Sequence, residues 1–472
     1  MTDDQRLRLI PLVVAFPLFL QNLDAYVIAT ALPTMAASLK VPVLDLNLAI
    51  TAYLLSLAVF LPASAWLAAR FGAKRVFILA VLLFSLGSAL CGLADSVPAL
   101  VGFRIVQGMG GALMVPVGRS LLLRAVPPQQ LVRAMVWFTV PGAVGRVLGP
   151  ALGGLLVTVA PWRWIFFLSV PFALLGAALA MRFVDDDRAD ADRQPAAALD
   201  ARGLLLLAVG LGGLLGGIET AGKGMVAPMV TALMVLGGAL CLALYVRHSR
   251  HAAAPALDLA LLRFRAFRLC LLGGVPVRIA LGAAPFLLPL MLQVGFGLSA
   301  LDSGVLTMAL ALGALSARPA LAWAIRTLGF RSLLIGASVL AACFYAAYGF
   351  FRPGTPQPMM FAVLFCGGLC TSVIMVTLNT VGYAQIPRAS SGHASALASM
   401  VQQLSMAVGV VLGAGTVSLS SHVRGASGAP SSGDFTVAFW VLSLLALCSA
   451  AAFRRFRAED GRELRPPPRR ED

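Results

Sequence analysis

Residues 140–171 read VPGAVGRVLGPALGGLLVTVAPWRWIFFLSVP. The first half is apolar, yet Gly142, Gly145, Gly149, Gly153 and Gly154 line it at close spacing, with Pro150 among them. In water this would be a poor helix, since each Gly costs about 1 kcal/mol and Pro about 3 kcal/mol relative to Ala. In a bilayer the backbone has no water to bond to, so the segment stays helical. Its glycines then form a smooth face for close helix packing, and the proline becomes a bend. On the glycines alone, a packing face and nothing more is an equally good reading.

The composition around this stretch gives the same solvent. Hydrophobic residues make up 59% of the 472, and charged residues 12%, which excludes an ordinary soluble protein. Apolar runs recur at about 9–32, 47–69, 76–94, 98–122, 134–159, 163–183, 202–220, 226–246, 267–292, 300–324, 331–350, 358–385, 394–418 and 435–453. Each can cross a hydrocarbon core about 30 Å thick. The expected fold class is therefore an all-α polytopic membrane protein with fourteen spans. The first run continues for a full span and carries polar residues, so it reads as a retained span and not a cleaved signal.

The net charge of +16 would suggest nucleic acid in a soluble chain. Here the charges sit in short loops, and basic loops are retained on the cytoplasmic side. With the N-terminus inside, Arg6, Arg8, Arg70, Lys74, Arg75, Arg124, Arg133, Arg182, Arg188, Arg193, Arg247, Arg250, Arg326, Arg331 and Arg388 all fall inside. Outside remain chiefly Lys40, Arg163, Lys223, Arg352 and Arg424. The expected partners are a lipid bilayer and a small molecule, with no nucleic acid.

The polar stretch 184–200 reads as a cytoplasmic linker, and 454–472 as a disordered basic tail. The layout is then a six-helix half (1–183), an inserted two-helix segment (201–250) and a second six-helix half (251–453). A weak internal repeat, LAARFGAKRVF against AIRTLGFRSLL, aligns Gly72 with Gly329 and relates the outer halves.

Several residues could carry chemistry. A carboxylate inside a span costs several kcal/mol unless neutral or paired, which makes Asp24 in span one, beside Gln21 and Asn22, a functional candidate. Span four holds Arg104 and Gln107 on adjacent turns. At 1.5 Å per residue, Asp24 lies roughly 22 Å from the inner end of its span, and Arg104 descends to nearly the same height. The pair would form a protonation switch, or alternatively a structural helix-to-helix ion pair. Arg146 interrupts the glycine face, and Arg278 in span nine falls at comparable depth. Either they select an anionic or acidic amphiphilic substrate, or they bond backbone carbonyls or lipid phosphate. Asn379, Gln385, Gln402 and Gln403 are further inward polar candidates, which interhelix hydrogen bonds explain equally well.

Other chemistries are disfavoured. GIETAGKG (217–224) ends in Gly where a phosphate loop needs Ser or Thr, and no strand precedes it, which excludes ATP hydrolysis. The seven cysteines lie in apolar runs and read as small core residues, and the four histidines lie in loops or at span ends. No enzyme, metal or cofactor is expected.

The spacing G-x-x-x-G-P-x-x-G-G, formed by Gly145, Gly149, Pro150, Gly153 and Gly154, resembles the fifth-helix signature of proton-coupled exporters in the major facilitator superfamily. The run Trp162-Arg163-Trp164-Ile165-Phe166 resembles the start of helix six in its fourteen-span drug/proton antiporter branch, of multidrug efflux type. LDAYVIATALP around Asp24 and FRIVQGMGGA around Arg104 are similar to the family's first- and fourth-helix motifs, which implies proton coupling by these two residues. AWLAARFGAKRV resembles the cytoplasmic gate loop, matched at Arg70, Gly72, Lys74 and Arg75. Ala69 stands where the family has an aspartate that helps latch the gate, so the resemblance does not extend to that latch. The resemblance implies proton-driven export of small amphiphilic compounds or drugs across the inner membrane by alternating access. A facilitator-type importer and a non-transporting sensor or scaffold are the alternatives. Substrate identity, oligomeric state and any periplasmic adaptor lie beyond the sequence.

Overall fold

Within a membrane, a helix bonds every interior peptide group to its own chain, and the regular elements among the described residues are all helical. The computed structural model describes residues 3–126, 130–184, 199–221, 226–252, 255–317, 324–325, 327–387, 390–425 and 430–457, with backbone only at 3–9 and 131–133. Thirteen helices among these are long and apolar enough to cross a membrane. The tenth expected span, 300–324, begins as a shorter apolar helix at Ala300 and is described to Ser316.

Span one is helix α1 (Asp3–Leu39), longer than expected at both ends. The second expected span is broken into α2 (Asn47–Phe60) and α3 (Ala63–Phe71). Pro62 lies in the break and has no N–H to return to the carbonyl four residues back. Next come α4 (Ala73–Gly92), α5 (Val97–Ala125) and α6 (Leu131–Val159). Span six divides at Leu168 into α7 (Trp164–Phe167) and α8 (Ser169–Phe183), where Pro171 leaves the Phe167 carbonyl without its helical donor. The inserted pair is α9 (Ala201–Thr220) and α10 (Pro228–Ser249). Span nine divides at Gly274 into α11 (Arg265–Gly273) and α12 (Val275–Leu290), followed by a π turn at Met291–Gly295. The remaining helices are α13 (Ala300–Ser316), α14 (Phe330–Gly349), α15 (Gln357–Gly382), α16 (Ser391–Val423) and α17 (Ser432–Phe453).

The chain forms two compact units, Met1–Leu257 with Leu288–Met308, and Asp258–Leu287 with Ala309–Asp472. In the first, α1 packs along α6, α5 lies against α4 and α2, and α9 pairs with α10. Small residues allow this closeness. A Cβ at Gly145 would come within 2.5 Å of the Phe19 carbonyl oxygen, and one at Gly153 within 2.8 Å of that of Val27. Gly154 and Gly304 press on the backbone of Ala300 and Pro150 in the same way, seating α13 against α6. In the second unit, α14 packs on α17 and α15, and Gly282 and Gly409 bring α12 and α16 into backbone contact.

Gly72 (φ 85°) and Gly329 (φ 71°) precede α4 and α14 with the same positive φ, so the sequence repeat is also a conformational one. Of the expected tail from 454, residues 454–457 are described. Phe456 is buried against Phe330 and Phe453, because a large ring loses more by facing water than the short backbone loses by being fixed. The rest of the tail (458–472), linker residues 185–198, Lys223, Arg326 and Arg388 lie outside the described residues.

Candidate functional site

Three helices bring one polar group together in the first unit. On α5, Gly108 meets Ser56 of α2 and Gly110 meets the backbone of Phe84 on α4, while Gly87 of α4 lets the Gln107 backbone approach. Ser56 fixes the register by donating its hydroxyl to the Ile105 carbonyl at 2.8 Å. The face of α5 that carries Arg104 and Gln107 is thereby turned inward toward Asp24 of α1.

Arg104 is fully buried and Asp24 is 5% exposed. Arg104 Nη1 donates to Asp24 Oδ2 at 2.6 Å and also to Gln107 Oε1 at 2.6 Å. Gln107 Nε2 closes the ring by donating to Asp24 Oδ1 at 3.1 Å. Helix α2 holds the other side of the guanidinium. The Ala49 carbonyl accepts from Arg104 Nε at 3.4 Å, and the Tyr53 ring centroid lies 4.3 Å from the guanidinium carbon. Both carboxylate oxygens accept from one donor each, and opposite charges cancel, which is what makes burial affordable. A proton added to Asp24 would cancel the negative charge that Arg104 faces, so the ion pair exists in only one protonation state.

The other expected site residues are dispersed. Gln21 is half-buried, near Gly111 and Tyr53. Asn22 donates to the Leu18 carbonyl of its own helix at 2.8 Å, which occupies its amide locally. Arg146 is half-buried on α6, beside Gly145.

In the second unit Arg278 is 2% exposed, and its Nη1 donates to the carbonyls of Cys270 and Leu271 at 3.1 and 3.0 Å. Those carbonyls belong to the last turn of α11, left without helical donors by the break at Gly274. Here the carbonyl-bonding alternative describes the geometry. Asn379 is exposed at the end of α15, Gln385 lies beyond that helix, and Gln402 and Gln403 are half-buried on α16.

The loop residues differ among themselves. Gly72 supplies the positive φ of the turn, Lys74 Nζ donates to the Met181 carbonyl at 3.0 Å, and Arg70 and Arg75 are exposed. Among the described residues, no three His, Cys, Asp or Glu side chains gather at metal-binding range.

Sequence reading passes over two groups. By sequence, Asp24 is the only acid well inside a span. In the structure Glu219 is 3% exposed near the end of α9 and accepts from Thr51 Oγ1 of α2 at 3.3 Å. Its position at the edge of an apolar run conceals it, since its burial comes from tertiary packing. At the other end of the inserted pair, Asp200 accepts from the Gly203 and Ala256 amides and from His248 Nε2. Burial raises its pKa, but the Ala256 and Gly203 amides and then His248 outweigh that, and the carboxyl is held below its ordinary value.

The profile of the Major Facilitator Superfamily matches residues 14–410. The chain belongs to this superfamily. Two relatives, from Citrobacter koseri and Cronobacter sakazakii, are both named "Putative multidrug resistance protein MdtD". The first is 34% identical, over 94% of this chain and 93% of its own; the second is 36% identical, over 93% and 92%. Among solved structures, a D-xylose-proton symporter superposes with a TM-score of 0.68 at 14% identity, covering 97% of this chain and 99% of its own. This facilitator fold is that of a multi-pass membrane transporter, not of an enzyme.

Proposed function

We propose that the protein is a proton-coupled antiporter that exports small amphiphilic compounds across the inner membrane by alternating access, with both termini cytoplasmic. The observation that carries this reading is the buried Asp24–Arg104–Gln107 cluster, an ion pair whose charge balance a proton on Asp24 would remove. The names of the relatives, which match along more than nine-tenths of the chain, support export of drugs. Proton uptake at Asp24 loosens Arg104, and the displaced guanidinium changes how α1 and α5 pack. The glycine face of α6 lets α1 slide on it without opening a leak. Arg146 favours substrates with an acidic group, whereas Arg278 is engaged by backbone and leaves the substrate set.

The test is proton flux in inside-out vesicles carrying an imposed pH gradient, with deoxycholate, norfloxacin and ethidium as acidic, zwitterionic and cationic probes. Collapse of the gradient by a probe in wild type but not in Asp24→Asn is the expected result. Equal collapse in both proteins removes Asp24 from the mechanism. Probe movement without proton flux makes the protein a facilitator.

A further inference from the structure

Glu219 is a buried carboxylate that the Asp24 mechanism does not use, placed where the inserted pair meets the six-helix half. A hydrogen bond alone would not need an ionisable group there, and a carboxylate buried in a span is costly. We infer that Glu219 is a positioning residue for the Asp24–Arg104 site and acts on it through helix α2.

The argument is one of helix geometry. Ala49 and Tyr53 are four residues apart and share a face of α2, and both touch the Arg104 guanidinium. Thr51 lies between them, about 200° round the helix from each, and gives its hydroxyl to Glu219. Helix α2 is therefore held by Arg104 on one side and by Glu219 on the other. A hydrogen bond to an ionised carboxylate is roughly twice as strong as a neutral one. When Glu219 takes a proton the grip on Thr51 slackens, α2 shifts, and the Ala49 carbonyl and Tyr53 ring move relative to Arg104. The inserted helices thereby set the working range of the proton site from outside it.

Helix α9 packs on α10 and α2. Near Gly217, α10 presents Met234 and Val235, while its titratable residues, Cys241, Tyr245, Arg247 and His248, lie further along toward Asp200. On α2 the titratable group is Tyr53, on the Arg104 side; Asp45 precedes that helix by two residues.

The inference rests on Asp24 being the proton site, and one experiment separates the two ideas. The full-length protein in lipid nanodiscs is titrated while the protonated-carboxyl stretch is followed by infrared difference spectroscopy. Asp24→Asn assigns the Asp24 band, and the readout is its titration midpoint. Glu219→Gln imitates the protonated acid. Thr51→Val leaves the Glu219 carboxyl in place and removes its bond to α2. Both should move the midpoint in the same sense, by on the order of one pH unit, the size that rearrangement around an ion pair produces. Thr51→Ser restores the hydroxyl and should restore the wild-type midpoint. Where Val is not accommodated, Thr51→Ala reads the same quantity. An Asp24 band whose midpoint is unchanged in Thr51→Val or Thr51→Ala overturns the inference alone. A wild type with no titrating Asp24 band overturns the proton-site reading and the inference with it.

Discussion

Arg104→Gln should be more damaging alone than together with Asp24→Asn. Alone, it leaves the Asp24 carboxylate buried with only Gln107 as donor, and breaking a buried pair from one side costs about 3–5 kcal/mol. It also removes the contact with the Tyr53 ring, worth about 2 kcal/mol when desolvated. The double variant still lacks the Tyr53 contact but strands no charge, because both substituted side chains and Gln107 are neutral amides able to bond one another. It should therefore recover about 3 kcal/mol relative to Arg104→Gln, the lower end of the cost of breaking the pair. Asp24→Asn alone strands the Arg104 cation and belongs with the costly single. The assay is SDS-driven unfolding of purified protein in mixed micelles, followed by circular dichroism, with all four members of the cycle compared at one pH. Neighbouring groups in one network couple by about 0.5–3 kcal/mol, which this comparison resolves. A double variant no more stable than the worse single would refute the view that Asp24 and Arg104 are held as a charge pair.

Three further outcomes follow from the geometry. Gly145→Ala, whose Cβ would strike the Phe19 carbonyl, should lower stability by about 1–3 kcal/mol, while Gly212→Ala, with nothing within 4 Å, should not, as thermal unfolding would show. Gly72→Ala places a side chain at φ 85° and should cost roughly 1–3 kcal/mol, with Gly329→Ala at φ 71° giving a matching loss in the second unit. At Asp200 the folded carboxyl lies below its ordinary value, so its contribution is fully present above about pH 4 and is lost as pH falls through the folded value. Unfolding midpoints from pH 7 down to pH 3 should therefore fall less steeply in Asp200→Asn than in wild type.

Most of the fold was legible because the bilayer leaves few solutions. Apolar length gave the spans, and the proline and glycine positions gave a packing face that lies against α1 as a helix face should. The breaks within spans two, six and nine were not legible. Pro62, Pro171 and Pro276 occur in runs whose hydropathy hardly dips, and some prolines, such as Pro150, sit inside unbroken helix. At the break in span nine, Arg278 takes up the Cys270 and Leu271 carbonyls, a contact that hydropathy does not encode. The site divides in the same way. Asp24 and Arg104 were visible because a charge in a span needs a partner, and depth arithmetic brought them level. Tyr53 and Thr51 were not, since ordinary residues in an apolar helix acquire meaning only from the helix opposite. The contrast between Arg146 and Arg278 likewise depends on which carbonyls lie within reach.

The link between Lys74 and the Met181 carbonyl has a consequence for a loop that carries Ala69 instead of an acid. An aspartate latch has its own acidity, and a proton arriving from the cytoplasm can unfasten it. A peptide oxygen binds no proton at any pH a cell survives. That hydrogen bond is thus indifferent to the ion whose gradient drives the proposed cycle, and motion of α8 breaks it where acid does not.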